Sequence, residues 1–168
     1  MSKPIRSVSA SLILLAVAQM STAAGPKGVM RFEAVILGHT DDVTSAYIDF
    51  MEIDVKRKSM QYGSRITADL VVCEEKGWYC LLGGGMDFAV PDDCCLDRKS
   101  WSFRGFDYAV VAGNESKDAD VVSISAVNAK DPSAPGAVYR YSRSKGLVGF
   151  LTYVVADGRR FPAFYVRK

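Results

Sequence analysis

The chain has 168 residues, with 21 lysines and arginines against 19 aspartates and glutamates and a single histidine. That length suits one domain with a real core. The near balance of charge excludes the surplus positive field expected of a general nucleic-acid or anionic-membrane binder.

Residues 1–24 read as a cleavable secretory signal. Lys3 and Arg6 form the positive end, Ser11 to Ala18 the short apolar stretch, and Ser21, Thr22, Ala23 and Ala24 the small-residue cleavage region. The apolar run is well short of the roughly 20 residues a bilayer requires. The first cysteine is Cys73, so no thiol near the cleavage point could carry a lipid. Removal of the segment takes away Lys3 and Arg6 and no acids, which leaves 19 basic and 19 acidic side chains on residues 25–168. The expectation is one extracytoplasmic domain over 25–168, periplasmic or secreted, without a stable membrane anchor and without nucleic acid as a partner.

Val29 to Leu37 is a β-rich run that ends in the turn Gly38 to Asp42. Thr40 to Gly63 carries two patterns. Val43, Ala46, Tyr47, Phe50 and Met51 follow helical spacing, with Thr40 as a cap and Lys56 to Lys58 at the end. Tyr47 to Val55 is instead β-branched and aromatic, with Met51, Ile53 and Val55 alternating, and the strand is the preferred reading.

Arg65 to Cys73 and Trp78 to Leu82 read as a hairpin turning at Lys76 and Gly77, which sets Cys73 opposite Cys80. Gly83 to Gly85 then break the strand, and Met86 to Val90 forms another that stops at Pro91. Cys94 and Cys95 follow. Four cysteines in an exported chain read as disulfides. A 73–80 bridge would force a vicinal 94–95 bridge, and neighbouring Cα atoms about 3.8 Å apart lie below the usual disulfide separation. The expectation is therefore two bridges tying the Cys73/Cys80 hairpin to the Cys94–Cys95 turn, with the pairing open. The spacing of six, thirteen and no intervening residues does not match a zinc site.

Trp101 and Phe103 share one face, while Phe106, Tyr108 and Val110 continue on the opposite parity. A bulge at Gly105 would return both sets to one side. Asn114 to Asp120 is a polar loop, Val121 to Val127 a strand and Lys130 to Gly136 a loop. Ala137 to Ser142, Gly146 to Val155 and Phe161 to Val166 complete the strands, with Asp157 and Gly158 as a turn and Pro162 suiting an edge strand or a late start. The fold expected is all-β: a single antiparallel sandwich or barrel-like domain of about nine or ten strands.

Catalytic patterns are missing. His39 is the only base of its kind, in a turn beside Asp41 and Asp42, and there is no G-x-S-x-G elbow. No metal motif is present, and neither metal nor cofactor is expected. Glu33, Glu52 and Asp107 lie in or beside predicted strands and are the candidates for a carboxylate pair. Tyr139 to Lys145 interleaves rings with Arg140, Arg143 and Lys145. Alternation favours Tyr139 and Tyr141 in the core with the cations in water. Trp78, Tyr139, Arg140, Tyr141 and Arg143 are nonetheless the candidate binding residues, because rings beside cations suit recognition. Asn114 opens a glycosylation sequon. The reading is a non-enzymatic binding or interaction module, inhibitor-like or immunity-like, with a protein partner outside the cytoplasm. The alternative is a small hydrolase of envelope polysaccharide using two acids.

Overall fold

A computed structural model describes residues 28–36, 50–63, 66–73, 75–95, 97–111, 120–156 and 159–168. The signal expected over 1–24, His39, the Asn114 sequon and the Asp157–Gly158 turn lie outside the described residues. The described chain is all strand and turn. In order it forms β1 (Val29–Ile36), β2 (Phe50–Asp54), β3 (Ser59–Tyr62), β4 (Ile66–Asp69), β5 (Val71–Val72), β6 (Trp78–Gly83) and β7 (Met86–Pro91). It continues with β8 (Ser100–Phe103), β9 (Phe106–Val110), β10 (Val121–Asn128), β11 (Ala137–Ser142), β12 (Gly146–Ala156) and β13 (Arg159–Arg167). All pairings between these strands are antiparallel. No helix among the described residues is long and apolar enough to cross a membrane.

Ten strands make one sheet in the order β4-β3-β2-β1-β13-β12-β11-β10-β9-β8, and β5-β6-β7 make a second. The first described strand, β1, lies mid-sheet, and the strands that follow step outward to β4 at one edge. The chain builds the small sheet, resumes at β8 on the other edge, and returns strand by strand to pair β13 with β1. The small sheet touches both flanks. The Tyr62 hydroxyl on β3 donates to the Gly84 carbonyl, and Trp101 Nε1 on β8 donates to the Ala89 carbonyl at 3.0 Å. In a flat sheet β3 and β8 would lie about 38 Å apart at about 4.8 Å per strand. Gly84 and Ala89 are at most about 17 Å apart along the chain. The large sheet is therefore rolled around the small one, which makes the fold barrel-like.

The period of two sets the core. Met30 and Phe32 on β1, Met51 and Ile53 on β2, Ile124 and Ala126 on β10, Tyr139 and Tyr141 on β11, and Ala163 and Tyr165 on β13 are all buried. On β12 the buried Leu147 and Phe150 change parity. Tyr141 pairs with Leu147 and Arg140 with Gly149, so Val148 is the extra residue of a bulge. The small sheet sets Phe88 onto Tyr139 and Tyr141, with ring centres 5.0 and 5.9 Å away, and Tyr79 onto Tyr141 at 6.4 Å.

Several local expectations change. Trp101 and Tyr108 do share a face, but through a hairpin and not a bulge. Arg104 and Gly105 take φ of 48° and 84°, a two-residue turn that sets Phe103 opposite Phe106 and Trp101 opposite Tyr108. The single strand expected over 65–73 divides at Leu70, with β4 in the large sheet and β5 in the small one. Of the preferred strand over 47–55, Phe50–Asp54 forms β2 and residues 47–49 lie outside the described residues; its hairpin partner β3 is not among the sequence expectations. β13 is central and not an edge; its described pairing with β1 begins at Ala163, one residue past Pro162.

The cysteines pair within each motif, not between the hairpin and the turn. The β5–β6 register brings Cys73 and Cys80 to a Cα separation of 5.1 Å, inside the usual range, and they are bridged. Cys94 and Cys95 then bridge each other at 3.7 Å. Their turn accommodates this with φ of 75° at Cys95. The Cys94 N–H is held by the Pro91 carbonyl and the Cys95 N–H by the Arg98 carbonyl. The Cys73–Cys80 bridge closes a loop and constrains the unfolded chain, so Cys73→Ala with Cys80→Ala should cost about 2–3 kcal/mol. Cys94→Ala with Cys95→Ala should cost distinctly less, because adjacent residues close almost no loop. Urea midpoints of the two double variants check this order.

Candidate functional site

The three glycines between β6 and β7 make a turn that carries no Cβ. Gly83 faces Met86 in the ladder, and Gly84 and Gly85 take φ of 58° and 83°. A Cβ on Gly84 would meet the Tyr62 hydroxyl at 2.8 Å. Lacking side chains of its own, the turn is held by phenols from the large sheet. Tyr62 donates to the Gly84 carbonyl. Tyr108 on β9 donates to the Asp87 carbonyl at 2.9 Å. The Asp87 backbone N–H donates to the Tyr139 hydroxyl on β11 at 3.0 Å. Burial pushes the Tyr62 phenol up to about 12 and raises Tyr108 and Tyr139 as well, so all three serve as neutral hydrogen-bonding groups.

Beside this turn opens a cavity of about 280 Å³, walled by Asp87, Phe106, Asn128, Tyr139, Thr152 and Tyr153 and by the loop at Ala134–Gly136. A second hollow of about 200 Å³ shares Gly85, Tyr139, Thr152 and Tyr153 and extends to Tyr62 and Tyr165. The two form one cleft. Tyr153 is 39 % exposed at its mouth. Asn128 is partly committed, since its side-chain oxygen accepts from the Lys130 N–H at 2.9 Å and shapes the loop.

Asp87 is the only charged side chain among the described residues lining the cleft. It is half-buried, and burial raises its pKa above the usual carboxylate value. Tyr108 donates to its backbone carbonyl and Tyr139 accepts from its backbone N–H, and its carboxylate has no ion pair or hydrogen bond among the described residues. A desolvated charge without a partner lowers the stability of the free protein.

The binding residues named from the sequence are dispersed. Tyr139 lines the cleft, and Tyr139 and Tyr141 lie in the ring cluster around Phe88. Arg140 sits between them on the other face of β11, and Arg143 follows in the turn to β12. That turn is tied by Asp120, which accepts from the Ser142 and Ser144 hydroxyls; the first of these bonds is the main reason its pKa is lowered. Trp78 packs on Phe103 with ring centres 4.5 Å apart. The other carboxyls point elsewhere: Glu33 pairs with Lys168 at 2.7 Å, and Asp107 accepts from the Ser102 hydroxyl at 2.6 Å. Glu52 lies on β2 between the buried Met51 and Ile53. Sequence reasoning missed Asp87. Its signal was an acid inside an otherwise apolar strand directly after three glycines.

A paired test separates the buried phenols. Tyr139→Phe leaves the Asp87 N–H without its acceptor and should cost about 1–2 kcal/mol. The Tyr79 hydroxyl is buried without a hydrogen-bond partner, so Tyr79→Phe should be neutral or stabilising by about 1 kcal/mol. Thermal melts of both variants test the opposite signs.

No protein-family model, no curated protein and no solved structure matches the chain.

Proposed function

We propose that this is a non-enzymatic extracytoplasmic binding module whose ligand occupies the cleft beside the β6–β7 turn. The observation that supports it is the arrangement at Asp87: a carboxyl with no partner among the described residues, in a cleft beside a turn that phenol-to-backbone hydrogen bonds hold in place. The walls come from strands of the rolled sheet and from the β6–β7 turn, and a site on paired strands carries a lower ordering cost of binding than one on free loops. Hydrolysis by two acids requires a second carboxyl facing the first, and among the described lining residues Asp87 stands without one.

The test is amide chemical-shift mapping on the isotopically labelled protein against a pool of small amines, sugars and peptides. Perturbations centred on Gly85, Asp87, Thr152 and Tyr153 are expected. Perturbations centred on the outer face of β11, at Arg140, would move the site away from the cleft. Turnover of an envelope polysaccharide, lost in a carboxylate-to-amide variant, would replace the reading with the enzymatic one.

A further inference from the structure

We infer that the cleft takes the ammonium group of a small organic cation, seated against the Asp87 carboxylate and beside the partly exposed rings of Phe106 and Tyr153. This deepens the binding reading above and rests on it. The argument starts from charge. No lysine, arginine or histidine is found among the described residues that line the cleft, so nothing there compensates an anionic ligand. A neutral ligand would leave the carboxylate desolvated and unpaired, at a cost. A cation neutralises it and supplies the missing donor.

The walls fit the same chemistry. Phe106 and Tyr153 are the partly open rings in the part of the cleft that holds Asp87, and Tyr62 is the one in its extension; Tyr139 and Tyr165 also line it but are buried, packed on Phe88 and Phe150. Ring faces carry negative charge density and attract ammonium groups more strongly once water is excluded. The Tyr62 and Tyr108 hydroxyls donate to carbonyls, and the Tyr139 hydroxyl accepts the Asp87 N–H, so these contacts leave the carboxylate unoccupied. At about 280 Å³ the cavity falls just below the usual range of ligand pockets, roughly 300–1,000 Å³. It suits a headgroup or an amine-bearing side chain, not a polymer.

The experiment titrates the whole protein, at a pH above the Asp87 pKa, with choline, n-butylammonium and 3,3-dimethylbutan-1-ol, the last an uncharged isostere of choline. Affinity is read from the cleft amides. At least one cation should bind tenfold or more tightly than the alcohol. A tighter n-butylammonium assigns a primary amine as the natural group, and a tighter choline a quaternary one. Asp87→Asn should remove the preference for the cation while Asp92→Asn, an exposed acid on the turn after β7, leaves it intact. The alcohol arm needs no variant, so the inference is testable even if Asp87→Asn folds poorly. Equal binding of cation and alcohol within the cleft overturns the ammonium assignment and leaves the binding reading standing. Cation binding whose shifts lie away from Gly85, Asp87 and Thr152 overturns both. Absence of cation binding at millimolar concentration overturns the ammonium assignment.

Discussion

Phe88→Ala should destabilise the protein by about 3–5 kcal/mol, lowering the melting temperature by roughly 10 °C for a chain of this size. Phe88 is fully buried on β7. It contacts Tyr139 and Tyr141 of the large sheet and Tyr79 of its own, with ring centres 5.0, 5.9 and 5.7 Å away. Removing the ring deletes two of the ring contacts between the sheets. The cavity left behind cannot collapse readily, because Tyr139 is held at its hydroxyl by the Asp87 N–H. Phe88→Leu retains most of the volume and should cost under about 1.5 kcal/mol. Denaturant titration of both variants measures the difference. A loss under 1 kcal/mol for Phe88→Ala would mean that the small sheet does not pack on β11.

The second large effect concerns backbone. Gly83→Ala should cost about 3–5 kcal/mol, combining left-handed strain with overpacking. Gly83 has φ of 120°, and a Cβ there would lie 2.4 Å from the Asp69 carbonyl oxygen. That oxygen belongs to Asp69, the last residue of β4, directly before Leu70, where the chain leaves the large sheet for the small one. Neither side can yield without separating the sheets. Gly85→Ala is the control: its φ is 83° with open space around the Cβ, so it should cost about 1–2 kcal/mol from strain alone. Equal losses for the two variants would remove the close approach from the account.

The two-residue alternation made most strands legible. Ala137–Ser142 has the bounds read from the sequence, and Val29–Ile36 and Val121–Asn128 differ by one residue. The Trp101–Tyr108 hairpin was not legible because its turn places a non-glycine, Arg104, at positive φ, so only Gly105 signalled it. β3 (SMQY) lacks β-branched residues and takes its conformation from pairing with β2 and β4. The cysteine pairing turned on the hairpin register and on the backbone at Cys95, neither of which spacing alone decides. The cleft was the least legible feature. Asp87, Tyr62, Tyr108 and Tyr139 come from four strands, and only the rolling of the sheet brings them to one turn.

The role of Asp87 has a thermodynamic signature independent of any ligand. Its pKa is raised in the folded state by burial, with the Tyr108 and Tyr139 phenols its titratable neighbours, both neutral across the range concerned. The folded protein thus holds that proton more tightly than the unfolded chain does. Its contribution is fully present below the unfolded pKa and is lost as pH rises through the folded one. The decisive measurement is the unfolding free energy of wild type and Asp87→Asn from pH 3 to pH 8 without ligand. The asparagine variant should be the more stable at neutral pH, with the gap closing as the solution is acidified. A variant less stable than wild type at pH 7 would show that the carboxylate supports the fold and is not held in reserve for a cation.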